Sequence, residues 1–317
     1  MRRMMLTAVA ICLSVLLLAA DARGQINSLT REDLIKYTAQ NPYDRFPDGR
    51  PKVPDALLER LKAVSSSEEL MGAGRGTAPA AGAQAPGRGG PAASFVTFTD
   101  GWQVLHPGKK LIGRAVTLQL MPRRPEVADV DAAEWKAKGN TVPLGHQSAL
   151  DILQAGDVIV ISAGGGLEAG GIIGDNLAYY IWKKTGTGFV VDGAIRDLHG
   201  IANFDMAGYF KGAVPPAIAG LMVTGINVPV RIGNATVMPG DVVWGDAEGV
   251  NLIPPQAVER LLESSLETRI HDEWTRIKFD TGKYKSTDIY GSPRDPELMK
   301  EYKEYLKKRL AEEKAKQ

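Results

Sequence analysis

The chain has 317 residues, 44% of them apolar and 24% charged, with a net charge of +1. That balance fits a globular protein with a sizeable core, and no stretch interleaves Lys and Arg with aromatics as a nucleic-acid partner would require. Cys12 is the only cysteine and lies in the apolar N-terminal run, so disulfides, a thiol mechanism and a zinc–thiolate site are excluded from the mature chain.

Arg2 and Arg3 precede an apolar run of 17 residues from Met4 to Ala20, and Ala20-Asp21-Ala22 forms a small-residue exit. The pattern predicts a cleaved signal peptide over residues 1–22 and a periplasmic or secreted protein. The run sits at the lower limit for an uncleaved anchor, so no stable membrane insertion is expected after cleavage. Residues 23–71 read as an N-terminal helical arm. Ser28 to Asp33 offers capping chemistry ahead of Leu34, Ile35 and Tyr37, Phe46 to Pro51 is a turn, and Pro54 heads a second helix. Residues 72–93 are almost wholly Gly, Ala and Pro with Arg75 and Arg88, a composition that predicts a flexible linker.

From residue 94 to 255 short β-like runs alternate with helices. Lys110 to Leu120, Asp157 to Ser162 and Gly188 to Val191 read as strands, the last ending at Asp192. Leu221–Val223, Val228–Ile232, Ala235–Val237 and Asp241–Trp244 add further short strands. Helices fit Ser148–Leu153, with Ser148 as its cap, and Asn176–Thr185, while Pro122–Val142 reads as loop. The fold class expected is α/β with a sheet of mixed direction. Residues 256–317 read as a C-terminal helical extension. Val258, Leu261, Leu262, Leu266, Ile270, Trp274 and Ile277 recur at helical spacing, and a charged helix begins at Pro296.

The candidate chemistry lies between Asp175 and the pair Arg196-Asp197, which are separated by twenty residues. A unit of this size returns both ends to one edge of a sheet, where two carboxylates suit a hard divalent ion and a guanidinium suits an anionic oxygen. The Gly-rich run Ala163 to Gly171 matches neither a dinucleotide fingerprint nor a P-loop. Its glycines instead allow close approach to a ligand, and the N–H groups of Asn176 and Leu177 at a helix start form an anion site for a small carboxylate. Taken singly, Asp175 is a helix cap, Arg196-Asp197 a surface pair and Asp192-Gly193 a turn. Asp246 and Glu248 read as a hairpin turn, Gln147 as a possible pocket residue, and Arg123-Arg124 as either a contact for a distal carboxylate or a solvated loop. His106, His199 and His271 have no mutual ligand spacing.

Two blocks, Gly174-Asp175-Asn176-Leu177-Ala178 running to Val190-Val191-Asp192-Gly193-Ala194-Ile195-Arg196-Asp197, and Ile232 to Val250, resemble the RraA-like family, which includes 4-hydroxy-4-methyl-2-oxoglutarate aldolases. The resemblance covers about residues 94–291, and the N-terminal arm resembles an exported subgroup. It implies a swivelling β/β/α domain that assembles into a homotrimer or hexamer with sites between subunits. It implies Mg²⁺ or Mn²⁺ at Asp197, a water held and activated by Asp175, and pyruvate gripped by Arg196 with the N–H groups of Asn176 and Leu177. A further carboxylate is implied from a neighbouring subunit's C-terminal helix, and alignment back from Ile289-Tyr290-Gly291 places Glu273 there. The implied activity is a metal-dependent lyase that cleaves a 4-hydroxy-2-oxo acid to pyruvate, with oxaloacetate decarboxylation through the same enolate. The alternative is a non-catalytic binding or regulatory protein of the cell envelope.

Overall fold

The computed structural model describes residues 28–71 and 97–315. The predicted signal peptide, Cys12 and the predicted linker lie outside the described residues. The strands are β1 (Thr97–Thr99), β2 (Gln103–Val104), β3 (Leu111–Pro122), β4 (Asp157–Ser162), β5 (Gly188–Ile195), β6 (Ala207–Ala213), β7 (Leu221–Ile226), β8 (Val230–Ile232), β9 (Ala235–Val237), β10 (Val242–Gly245) and β11 (Val250–Ile253). The α-helices are α1 (Arg31–Tyr37), α2 (Asp55–Lys62), α3 (Ser67–Met71), α4 (Pro125–Ala137), α5 (Gln147–Asp151), α6 (Asp175–Thr185), α7 (Leu198–Ile201), α8 (Val258–Asp280), α9 (Ser286–Ile289) and α10 (Pro296–Lys314).

One mixed sheet organises the protein, in the order β1-β11-β10-β3-β4-β5-β6-β2, with β7 also paired to β3. Its centre, β3-β4-β5-β6, is parallel, and the flanking pairs are antiparallel. Parallel strands are covered on both faces, which is why β4 and β5 are buried at every position and carry the apolar runs Val158–Ile161 and Phe189–Val191. Ile159, Ile161, Phe189, Val191 and Ile195 pack against α5 and α6 on one face, while Val158, Val160, Val190 and Tyr209 meet the β8–β9 hairpin on the other. The fold is α/β with a mixed sheet and long C-terminal helices, as the sequence pattern predicts.

Several elements differ from the sequence expectation. Strand β5 does not stop at Asp192 but runs on to Ile195, through an irregularity against β6 between Val191 and Ala194. Pro122–Val142 is not a loop throughout, since α4 occupies Pro125–Ala137. Ser148 is not a cap, because α5 begins a residue earlier with His146 at the N-cap; the Ser148 hydroxyl instead accepts the Gly145 N–H at 3.3 Å. The long C-terminal helix is preceded by a 3-10 turn over Pro255–Ala257 and starts at Val258.

The N-terminal segment is built into this body. Val53, Leu57, Leu58, Leu61 and Leu70 share a core with Ile112, Trp244, Ile253, Val258 and Leu261. Buried ions reinforce the seam at the amino end of β4. Arg50, wholly buried, reaches Asp157 at 3.3 Å and Asp48 at 2.7 Å, and Arg114 donates to the Val53 carbonyl at 2.7 Å and pairs with Asp55. Asp246 accepts the Ser67 N–H at 2.7 Å and its hydroxyl at 2.9 Å, so a residue from the β10–β11 turn caps the start of α3.

Candidate active site

The two ends of the β4–α6–β5 unit do meet. After β4 the chain loops back, and Ile173 forms a parallel bridge with Ile195, the last residue of β5, while the Arg196 N–H donates to the Ile173 carbonyl at 2.9 Å. This short extension of the sheet sets Gly174 and Asp175 beside Arg196 and Asp197. The packing is close enough that side-chain-free positions are required. A Cβ on Gly174 would lie 2.8 Å from Asp197 Oδ2 and 2.9 Å from Arg196 Nε, and one on Gly200 would lie 3.1 Å from Asp175 Cβ. Asp175, Arg196 and Asp197 therefore line one small site beyond the carboxyl end of β5, with α7 closing it through Gly200.

Each functional group is positioned locally. Gly174 is the extended N-cap of α6 and offers no side-chain acceptor, so the helix begins at Asp175 itself. The Asn176 N–H is not free, as the sequence reading supposed. It donates to Asp175 Oδ1 at 2.7 Å and so helps orient that carboxylate. The first intrahelical bond is Ala178 N–H to the Gly174 carbonyl, which leaves the Leu177 N–H in the open first turn of the helix. Asp197 adopts φ 56° and ψ 36°, a left-handed conformation that aspartate tolerates better than most residues. That turn swings the chain from β5 into α7. Arg196 Nε lies 3.4 Å from Asp197 Oδ2, and both side chains are about two-fifths exposed, 41% and 40%.

The surroundings sort the other candidates. Asp192, the buried acid of β5, faces the glycine loop; burial raises its carboxyl above the ordinary range, opposed by Lys211 and Arg231. Its main-chain carbonyl accepts the Ala163 and Gly165 N–H groups at 3.2 and 3.0 Å, holding the loop to the strand. Asp246 accepts the Glu248 N–H at 2.9 Å, the turn role read from sequence. Arg124 is exposed and pairs with Glu126, whereas Arg123 lines a cavity of about 250 Å³ with Asp129, Leu144 and His146. Burial lowers the His146 pKa. Gln147 is exposed at the first turn of α5. Glu273 sits on α8 and is bound within its own chain by α10. Arg309 Nε and Nη2 reach Glu273 Oε1 and Oε2 at 3.1 Å each, and the Tyr305 hydroxyl donates to Oε1. These contacts hold the Glu273 carboxyl below its usual pKa. Among the described residues, no group of three or more His, Cys, Asp or Glu side chains converges as a metal cage.

The close-approach glycines Gly174 and Gly200 and the left-handed turn at Asp197 were not apparent in the sequence. Only the Gly-Asp-Asn start of α6 gave a local signal; Gly200 gave none.

The chain is 34% identical over 140 residues to a protein of Halalkalibacterium halodurans provisionally named as a 4-hydroxy-4-methyl-2-oxoglutarate aldolase, covering 42% of this chain and 66% of that one. It is 31% identical over 100 residues to the 4-hydroxy-4-methyl-2-oxoglutarate aldolase of Thermus thermophilus, covering 32% and 60%. The chain thus spans less than two thirds of the length of either relative. Among solved structures, RraAS2 of Streptomyces coelicolor, described as an unusual member of the RNase ES inhibitor RraA protein family, superposes with a TM-score of 0.56. The identity is 26%, and the match covers 72% of this chain and all of that one. A family model, RraA-like (Aldolase/RraA), matches residues 94–252, a segment that holds the whole Asp175–Asp197 unit and the strands that carry it. The chain belongs to the RraA-like family.

Proposed function

We propose that the protein is a divalent-metal-dependent lyase that cleaves a 4-hydroxy-2-oxo acid to pyruvate by a retro-aldol reaction and decarboxylates oxaloacetate at the same site. The observation that carries this reading is the meeting of Asp175 with Arg196 and Asp197 around Gly174 and Gly200. Aldolase names among the relatives support it.

The donor set fits Mg²⁺ or Mn²⁺. Both acids present hard oxygens, and such ions are commonly held by one or two protein carboxylates, the remaining positions going to water and substrate. Asp197 would hold the ion and Asp175 a water beside it. When bound, the ion would polarise the 2-oxo group of the substrate. The remaining work falls to the protein. Arg196 pairs with the substrate carboxylate and, as the C3–C4 bond breaks, with the negative charge that develops on the pyruvate enolate oxygen. The Leu177 N–H supplies a further donor at the helix start. Asp175, fixed by the Asn176 N–H, takes the proton of the 4-hydroxyl through its water and returns one to the enolate carbon. No lysine is required, because no Schiff base forms.

We place the working site between copies in a homotrimer or hexamer, with Glu273 of an adjacent copy as the further carboxylate, and the protein in the periplasm or outside the cell. The decisive experiment measures pyruvate release from oxaloacetate and from 4-hydroxy-4-methyl-2-oxoglutarate by the purified protein with added Mg²⁺. Asp197→Ala and Arg196→Ala should each abolish it, and full activity in both variants would sink the proposal. A second reading, a non-catalytic binding protein, draws on the similarity to a ribonuclease-inhibitor family member. Calorimetric titration with Mg²⁺ and oxalate separates the two, since absent binding favours the second.

A further inference from the structure

We propose that Arg309 and Tyr305, on the C-terminal helix α10, are positioning residues that present Glu273 as a fixed acceptor to the divalent-ion site of an adjacent copy. The inference rests on the reading of Glu273 as that site's further carboxylate.

The geometry of the clamp carries the argument. Glu273 lies within α8, and Arg309 approaches it fork to fork, with 3.1 Å on each oxygen, while the Tyr305 hydroxyl adds a second bond to Oε1. A carboxylate offers about four acceptor positions. Three are taken, two on Oε1 and one on Oε2, and one remains on Oε2. Arg309 is in turn held by Glu312 at 2.6 Å and Glu313 at 3.3 Å, so the fork is anchored on its far side. The Glu273 side chain is nevertheless 40% exposed. A carboxylate that is oriented, left with one open acceptor position and reachable from outside is what a shared ion site needs from a neighbour.

Two further observations favour presentation over simple adhesion. The α8–α10 seam is already held by apolar and aromatic packing, with Trp274 and Tyr302 buried and their ring centroids 5.2 Å apart. A partly exposed ion pair adds little to such a seam. Within one chain, moreover, Glu273 joins no metal-ligating group among the described residues. With the side chain partly exposed, that open position is free to accept from a group outside its own chain.

The test uses the full-length protein and Mn²⁺ alone as the probe. Affinity is measured by calorimetry, and oligomeric mass and thermal midpoint are recorded for every variant. Removing a partner that orients a ligating carboxylate typically weakens metal binding by about 10- to 100-fold. Arg309→Ala should weaken Mn²⁺ binding by at least about tenfold, Tyr305→Phe should weaken it less, and both should retain the wild-type mass and midpoint. Glu273→Gln should weaken binding as much as Arg309→Ala, and the double variant should be no worse than Glu273→Gln. If Arg309→Ala binds Mn²⁺ as well as or better than wild type while Glu273→Gln is weakened, the positioning role is overturned. If Glu273→Gln leaves affinity unchanged while Asp197→Ala abolishes it, Glu273 is no ligand and the proposal falls with it. If Asp197→Ala also leaves affinity unchanged, the ion site itself is refuted.

Discussion

Gly174→Ala places one methyl group where the candidate site has no room for it. The new Cβ would lie 2.8 Å from Asp197 Oδ2 and 2.9 Å from Arg196 Nε, against ordinary contacts near 3.4 Å or more. The overlap of roughly 0.5 Å, counted against normal packing distances, must be relieved by moving the carboxylate or the guanidinium. A displacement of about 1 Å at a reacting centre costs on the order of 100-fold in rate, so half of that should cost on the order of 10-fold, or about 1.4 kcal/mol of barrier. Folding should barely change. Gly174 has φ −105° and ψ 179°, a backbone conformation open to alanine. Losing glycine at an N-cap costs up to about 1 kcal/mol, and restricting the unfolded chain returns about 0.4–1 kcal/mol. The assay pairs pyruvate release from oxaloacetate with thermal unfolding. The expected result is a kcat/KM about 10-fold lower at a nearly unchanged midpoint. Activity within twofold of wild type would refute the close packing of Gly174 against Arg196 and Asp197.

Other consequences follow from buried groups away from the site. Burial pushes the Asp241 carboxyl up to about 7, so its folded pKa exceeds its unfolded one. Its contribution is therefore fully present below about pH 4 and lost as pH rises through about 7; Asp241→Asn should flatten that part of the stability–pH profile measured by urea unfolding. Asp157→Ala strands the buried Arg50 guanidinium with only Asp48, and should cost about 3 kcal/mol by chemical denaturation. A loss below about 1 kcal/mol would show that the pair is not desolvated. Gly188→Ala would put a methyl carbon 1.8 Å from the Ala207 carbonyl oxygen, so the variant should lose at least about 4 kcal/mol or fail to fold, read out as soluble yield and unfolding midpoint.

The sequence revealed the parallel centre of the fold because β4 and β5 are buried on both faces and carry the short apolar runs Val158–Ile161 and Phe189–Val191. It hid β6, whose Gly208 and Gly212 look like loop residues. Both are packing requirements, since a Cβ on Gly208 would lie 2.7 Å from the Phe189 ring and one on Gly212 would lie 2.8 Å from Leu167. Helix α4 was hidden for another reason: most of its surface is solvated, so no apolar stripe marks it. At the site, the Asp175 to Arg196-Asp197 spacing was legible because a β–α–β unit returns its ends to one edge. The Ile173–Ile195 bridge that brings them into contact was not, since bridges between loop residues leave no periodic trace. Nor were the partners of Glu273, which arrive from 32 and 36 residues further along the chain.

The buried ions and the candidate site occupy opposite ends of the same parallel strands. Asp157 is the first residue of β4 and anchors Arg50 there, while Asp197 lies two residues beyond the last residue of β5. Selection can therefore act on the two ends almost independently. Changes in the loops beyond the carboxyl ends can retarget the chemistry while the ionic anchor keeps the scaffold intact. A library of random variants should accordingly fall into two phenotypes, folded but inactive and scarce but normally active, with few variants between them.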